Sequence, residues 1–261
     1  DSTCDSSMRT RHLMHRSVLP AVLLLASCAH QAAPPPDEVY EASALPHSVY
    51  AEAASEGLAV YRVDPQQSLV LMHVGRAGTM KSAGHDHVIA STCVNGYVLI
   101  GEDDSASRAD LRMPLKSLIV DDATYRERYG LEGEVSESTI EGTTRNMQDK
   151  VLQSEWYPVV EVHARFAAAG DDPPLLSVAI TLHGTAFDYL VPVQLAIEPE
   201  KMTASGSLTV RHSDFGLTPF SAAGGLLKVA DEVAIDFELV AERWRCDSRA
   251  NQVDPCSRPQ W

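Results

Sequence analysis

Gly84-His85-Asp86-His87 is the stretch with the densest chemistry in the chain. In extended backbone, alternate side chains share a side. His85 and His87 then project together, as two metal ligands could, and Asp86 points away unless the chain turns. His183 and His212 end other apolar-patterned runs and could complete such a site. The competing reading has these histidines, with Asp86, hydrogen-bonding turns or a ligand headgroup at the edge of an apolar cavity. Two further triplets carry less. His212-Ser213-Asp214 contains the residue types of a serine triad, but neighbours on a strand diverge where a triad must converge. Asp214-Phe215-Gly216 matches a kinase metal-binding triplet, yet no glycine-rich loop, strand lysine or catalytic loop accompanies it. A turn with Gly216 at positive φ and Phe215 plugging a barrel end explains it better.

The elements around these residues are strands. Met202, Ala204, Gly206, Leu208 and Val210 share one face of a period-2 run, and Val233, Ile235, Phe237, Leu239 and Ala241 share one face of another. The loop between them, Ser213 to Gly225, is apolar for a connector, holding Phe215, Leu217 and Phe220. The same alternation runs through Val70-Met72-Val74, Cys93 to Ile100, Ala109-Leu111-Met113-Leu115, Val160-Val162-Ala164-Phe166, Leu176-Val178-Ile180-Leu182 and Val191-Val193-Leu195-Ile197. Asp121 to Tyr157 breaks the period. Ser136, Ser138 or Thr139 could cap a helix there, with Ile140, Thr144, Met147, Val151 and Leu152 at near-helical spacing. Met147, Leu152, Trp156 and Tyr157 either cover a lumen or pack the helix on the wall. The chain is therefore mainly all-β: about eight or nine strands in an antiparallel barrel or sandwich, with one or two short helices inserted. A barrel of that size holds side chains or one small ligand, and the inward set is apolar.

Charge narrows the partners. The net charge is −15 and the pI about 5.0. Nucleic acid needs a basic face, so it is excluded as a partner, as is docking on anionic lipid by charge. The sequence does not set the oligomeric state; a dimer is compatible with it.

The N-terminus reads as a targeting segment with Met8 or Met14 as its start. A basic stretch, His12 to Arg16, precedes the apolar Val18 to Ala26, which is too short to span a bilayer. Leu25-Ala26-Ser27-Cys28 resembles the lipobox of bacterial lipoproteins, which implies lipidation of Cys28 and a membrane anchor without a spanning helix. Ala29 after the cysteine points to the outer membrane, on the periplasmic side of the envelope. The expected organisation is a signal peptide at 1–27, a flexible tether at 28–57 with a short helix near 49–56, a barrel at 58–243 and a tail at 244–261. Cys246 and Cys256 could pair in an oxidising periplasm, leaving Cys93 a buried thiol.

Five short pieces occur in order along Leu58 to Ala241. They are Tyr61-Arg62-Val63-Asp64 with Ser68-x-Val70; Asn146-Met147 with Val151-Leu152; Tyr157-Pro158-x-Val160-x-Val162; Thr181-Leu182-His183-Gly184; and Ser213-Asp214-Phe215-Gly216. The ordered set resembles the YceI-like family of periplasmic lipid-binding proteins. The resemblance implies a lipocalin-like antiparallel barrel that encloses an isoprenoid lipid, a quinone or polyprenyl chain, without catalysis. Residues expected on the lipid are Val70, Met72, Val74, Leu111, Met113, Met147, Val162, Phe166, Ile180, Leu182, Leu208, Phe215, Phe220 and Phe237. The sequence departs from many members at Gly84 to His87, where small and apolar residues usually lead to Gly-x-Phe. That departure bears on the ligand more than on the fold, and a divalent metal held at His85 and His87 is the alternative reading.

Overall fold

The computed structural model describes residues 38–131, 133–167 and 172–245. The expected signal peptide, lipidated Cys28 and Cys246–Cys256 pair lie outside the described residues. Twelve strands form one antiparallel sheet: β1 (Ala59–Val63), β2 (Leu69–Ala77), β3 (His87–Ser91), β4 (Asn95–Ile100), β5 (Arg108–Pro114), β6 (Ile119–Val120), β7 (Val159–Phe166), β8 (Leu175–Leu182), β9 (Thr185–Ile197), β10 (Lys201–Arg211), β11 (Ser221–Ala222) and β12 (Leu227–Arg243). The order β1-β4-β5-β7-β8-β9-β10-β12 closes into an eight-stranded ring, because β1 also pairs with the end of β12 through Tyr61↔Arg243, Arg62↔Glu242 and Val63↔Ala241. β2, β3 and β6 continue the wall beside β12. β2 follows β1, β4 follows β3 and β6 follows β5 after a short break, so three barrel positions are split strands. That is why a barrel of eight positions carries more than eight strand segments.

Alternation sets the inside. Val70, Met72 and Val74 of β2, Leu208 and Val210 of β10, and Val233, Ile235 and Phe237 of β12 face the lumen. Across from Phe237, Gly206 leaves room for the ring; a Cβ there would lie 2.9 Å from Phe237 Cζ and from Pro192 O. The outer face of β2 and β3 is also covered. Leu71, Val88 and Ala90 are buried beneath Tyr125, Tyr129 and Leu131, on and after helix α2 (Ala123–Arg128).

The expected helical excursion is present. Among its candidate caps, Ser136 serves: its hydroxyl accepts from Thr139 N at the start of α3 (Glu137–Arg145). The last turn widens into a π-helical segment, Asn146–Val151. Such segments occur often at functional sites. Here it turns Asn146, Met147 and Val151 to the cavity.

The segment expected to be a tether is docked from Tyr40 onward. Tyr40 N donates to Trp156 O (2.7 Å) and its hydroxyl to Glu161 Oε2 (2.8 Å). The chain then runs to α1 (His47–Ser55), the short helix expected there, which buries Tyr50 and Ala53 against Val60, Tyr97 and Leu99. Apolar side chains spaced three apart give α1 a face that the wall covers. Asp110 projects from the outside of the barrel beneath this helix. It is 2% exposed and accepts from Tyr50 Oη (2.6 Å), Arg108 Nε (2.9 Å) and His163 Nδ1 (2.6 Å). Burial pushes the Asp110 carboxyl up, but these donors outweigh it and hold it below the usual carboxylate range.

Cys93 corrects an expectation. It is 5% exposed and disulfide-bonded, so it is not a free buried thiol. Cysteine spacing alone does not set pairing. No helix among the described residues is long and apolar enough to cross a membrane.

Candidate functional site

The sheet register decides what meets at the barrel mouth. His87 pairs with Val74, Val74 with Val233, and Val233 with Val210. The start of β3, the end of β2, the start of β12 and the end of β10 therefore share one end of the barrel. The β8–β9 turn and the α3 to π-helical segment lie at that end too.

The lumen is a cavity of about 430 Å³. That is within the range of pockets that bury a small ligand. All fourteen side chains expected on a lipid line it, including Met147 from the π-helical segment and Phe215 and Phe220 from the apolar loop. Phe215 is 2% exposed. It sits in a 3₁₀ turn, His212–Phe215, that ends at Gly216 with φ 69°, a conformation glycine adopts freely. The described side chains do not fill the barrel. Leu152 lines the cavity as well, but Trp156 and Tyr157 do not: the Trp156 carbonyl holds Tyr40, and the Tyr157 ring packs on His183. Polar residues enter the lining near the ends, with His87, Asn146, Arg211 and His212 at the mouth.

The five polar residues singled out from sequence divide. His87 lies at the mouth and its Nδ1 is 2.6 Å from Asp121 Oδ2. His85 is its neighbour, with ring centroids 4.5 Å apart at 61°. Burial lowers the His85 pKa, helped by the charge of His87. Asp86 turns away, as extended backbone requires, and its Oδ1 accepts from Arg76 N (2.9 Å). His212 is also at the mouth, but its Nδ1 bonds the Asp231 carbonyl (2.9 Å). His183 does not join the others. With Gly184 it forms a two-residue hairpin turn, both at positive φ (53° and 74°), as the type I′ turn between right-twisted strands demands. Its Nε2 pairs with Gln153 Oε1 at 2.8 Å, and burial lowers its pKa. The Ser213 hydroxyl donates to Asp231 (2.6 Å), and Asp214 accepts from Tyr189 Oη (2.8 Å), so no triad forms.

Asp121 is the residue that local pattern missed. It follows β6 with φ 53°, is 3% exposed, and takes Val88 N (3.0 Å) and Arg126 Nη1 (2.9 Å) on Oδ1. Burial pushes its carboxyl up, yet the hydrogen bonds from His87, Val88 and Arg126 prevail and hold it below the usual range. With His85 and His87 it forms a group whose candidate ligand atoms lie within 4.8 Å of one another. A pair of adjacent aspartates after an apolar run reads as a turn, and Asp122 does cap α2 through Thr124 N. Nothing local tells that Asp121 folds back to a histidine 34 positions earlier.

These features define a closed antiparallel barrel with an apolar lumen and a helix-flanked mouth. The profile of the YceI-like domain matches residues 61–241, and the chain belongs to that family. Solved structures of similar fold include BcnA of Burkholderia cenocepacia (19% identity, 68% of this chain and 98% of that one, TM-score 0.48). Another is a polyisoprenoid-binding domain of Saccharophagus degradans implicated in plant cell wall breakdown (16% identity, 72% and 99%, TM-score 0.45). A third is the YceI protein of Campylobacter jejuni (13% identity, 58% and 82%, TM-score 0.40). No curated protein matches the sequence significantly.

Proposed function

We propose that this chain is an envelope lipoprotein that binds an apolar isoprenoid-type lipid, a quinone or polyprenyl chain, in the barrel lumen, without catalysing a reaction. The observation that carries the reading is the lumen itself: one cavity whose wall is overwhelmingly aliphatic and aromatic, with polar residues at its ends. Such a wall favours a long hydrocarbon. Each methylene removed from water contributes about 0.8 kcal/mol, so chain length sets affinity and the mouth sets orientation. The family membership supports the same reading. Anchoring through Cys28 at the periplasmic side of the outer membrane rests on the sequence 25–28 and on Ala29.

Native mass spectrometry and organic extraction of the purified protein test the lumen. A co-purifying isoprenoid is expected, and it is displaced when Met113, which lines the cavity, is changed to Trp. Empty extracts, together with no uptake of added quinone or polyprenyl phosphate, would sink the reading. Labelled palmitate incorporated by the native chain and absent from Cys28→Ser tests the anchor; a labelled Cys28→Ser protein would refute it.

A further inference from the structure

We infer that His85 and His87 form a binding site for a divalent late-transition metal ion of the zinc and copper kind, at the mouth of the barrel, with Asp121 fixing His87 in the ligating form. The site stands on its own geometry and does not depend on what fills the lumen.

The Asp121 carboxylate can only accept, so the 2.6 Å contact with His87 Nδ1 places the proton on Nδ1 and leaves the lone pair on Nε2. Carboxylates play this role behind metal-bound imidazoles, where they set the tautomer and raise ligand basicity. Asp121 is itself fixed. Its other oxygen is taken by Val88 N and Arg126 Nη1, and the guanidinium offsets the buried charge. It therefore serves better as the orienting group than as a ligand.

His85 supplies the second imidazole. It makes no hydrogen bond among the described residues and its ring lies edge-on to that of His87. The loop that carries both is fastened by two arginines. Asp86 Oδ1 accepts from Arg76 N (2.9 Å), Arg76 Nη1 donates to Gly84 O (2.7 Å), and Arg126 Nη1 donates to Asp86 O (3.1 Å). Holding the middle residue outward presents its two neighbours to the same side, so little ordering cost remains when an ion binds.

The donor type selects the ion. Imidazole nitrogen suits zinc, copper and nickel, whereas magnesium and calcium require oxygen. Two protein ligands leave positions for water or for an oxygen atom of a molecule in the lumen, since His87 also lines that cavity.

The test uses the full, tag-free chain stripped with a chelator and titrated with Zn²⁺ or Cu²⁺ by calorimetry, with bound metal counted by elemental analysis. One equivalent is expected, uncompeted by Mg²⁺ or Ca²⁺. His85→Ala should abolish it while leaving the melting temperature unchanged, because His85 bonds nothing in the fold. Asp121→Asn should weaken binding by roughly 10- to 100-fold. His183→Asn and His212→Ala should bind as the native chain does. If the intact protein shows no saturable binding, or if His85→Ala/His87→Ala still takes up one equivalent, the site does not exist.

Discussion

The molecule builds the same arrangement twice, with different results. At the wall under α1, Asp110 is buried with a histidine Nδ1 at 2.6 Å and an arginine, Arg108. At the mouth, Asp121 is buried with a histidine Nδ1 at 2.6 Å and an arginine, Arg126. The third donor differs. Asp110 takes the hydroxyl of Tyr50, and so clasps a helix to the barrel. Asp121 takes the backbone of Val88, which ties it to β3 itself. The histidines differ more. His163 is 49% exposed at its side chain and has no second imidazole beside it among the described residues, whereas His87 is 16% exposed, lines the lumen and meets His85. A carboxylate–histidine–arginine set is therefore a structural device by default. A neighbouring imidazole and a cavity set the mouth copy apart, and the proposed metal site rests on them.

The largest expected effect separates the copies directly. Asp110→Ala strips a buried anion from Arg108, Tyr50 and His163, and breaking such a pair costs about 3–5 kcal/mol. Urea denaturation should show that loss, while Zn²⁺ uptake by the folded protein stays native; a change in uptake would mean the two sets are coupled. Tyr50→Phe removes one hydrogen bond to a charged group, worth about 1.5–3 kcal/mol. Hydrogen exchange should speed up in 47–55 and not in 84–91. Acid should act on both copies together. Each carboxyl has a folded pKa below its unfolded value, so each contributes stability above about pH 4, the unfolded value, and loses it as pH falls further through the folded one. A denaturation series that stays flat below pH 4 would contradict this. The smallest effect belongs to His183. Its folded pKa is lowered, so the unfolded chain takes up a proton first as pH falls through about 6.5, and stability declines. His183→Asn tolerates the positive φ and should flatten that gentle slope between pH 7 and 5.

The lumen was legible because facing in or out is a local property of a strand. Val70, Met72, Ile180, Leu208 and Phe237 each sit on an apolar period-2 face, and each lines the cavity. The ordered family pieces fall within the residues that the YceI-like profile matches, 61–241. Coverage of the outer wall was not legible. Asp110 occupies a polar position of β5 that reads as solvent-facing, and a helix whose Tyr50 lies sixty positions earlier covers it. Asp121 and Arg126 were hidden for the same reason: Asp121 meets His87 and Val88 of β3, and Arg126 meets Asp121 and the Asp86 carbonyl. His183-Gly184 looked like chemistry at a strand end, although a two-residue connection between alternating runs already specifies a turn. The breaks that split three barrel positions fall at the turn after Asp64-Pro65, at 92–94 and at the 3₁₀ turn Leu115–Ser117.

The docking of Tyr40 on Trp156 and Glu161 also fixes a length. Tyr40 packs beside Tyr157 and Gly184, which belong to the mouth end, before the chain leaves for α1 at the other. From Cys28 to Tyr40 is twelve residues, and a fully extended chain covers at most about 3.3–3.6 Å per residue. With Cys28 lipidated as proposed, Tyr40 can stand no more than roughly 40 Å from the bilayer surface. Such an anchor would join the fold at the end of the barrel where His87, Asn146 and His212 line the lumen, and would hold that end near the leaflet.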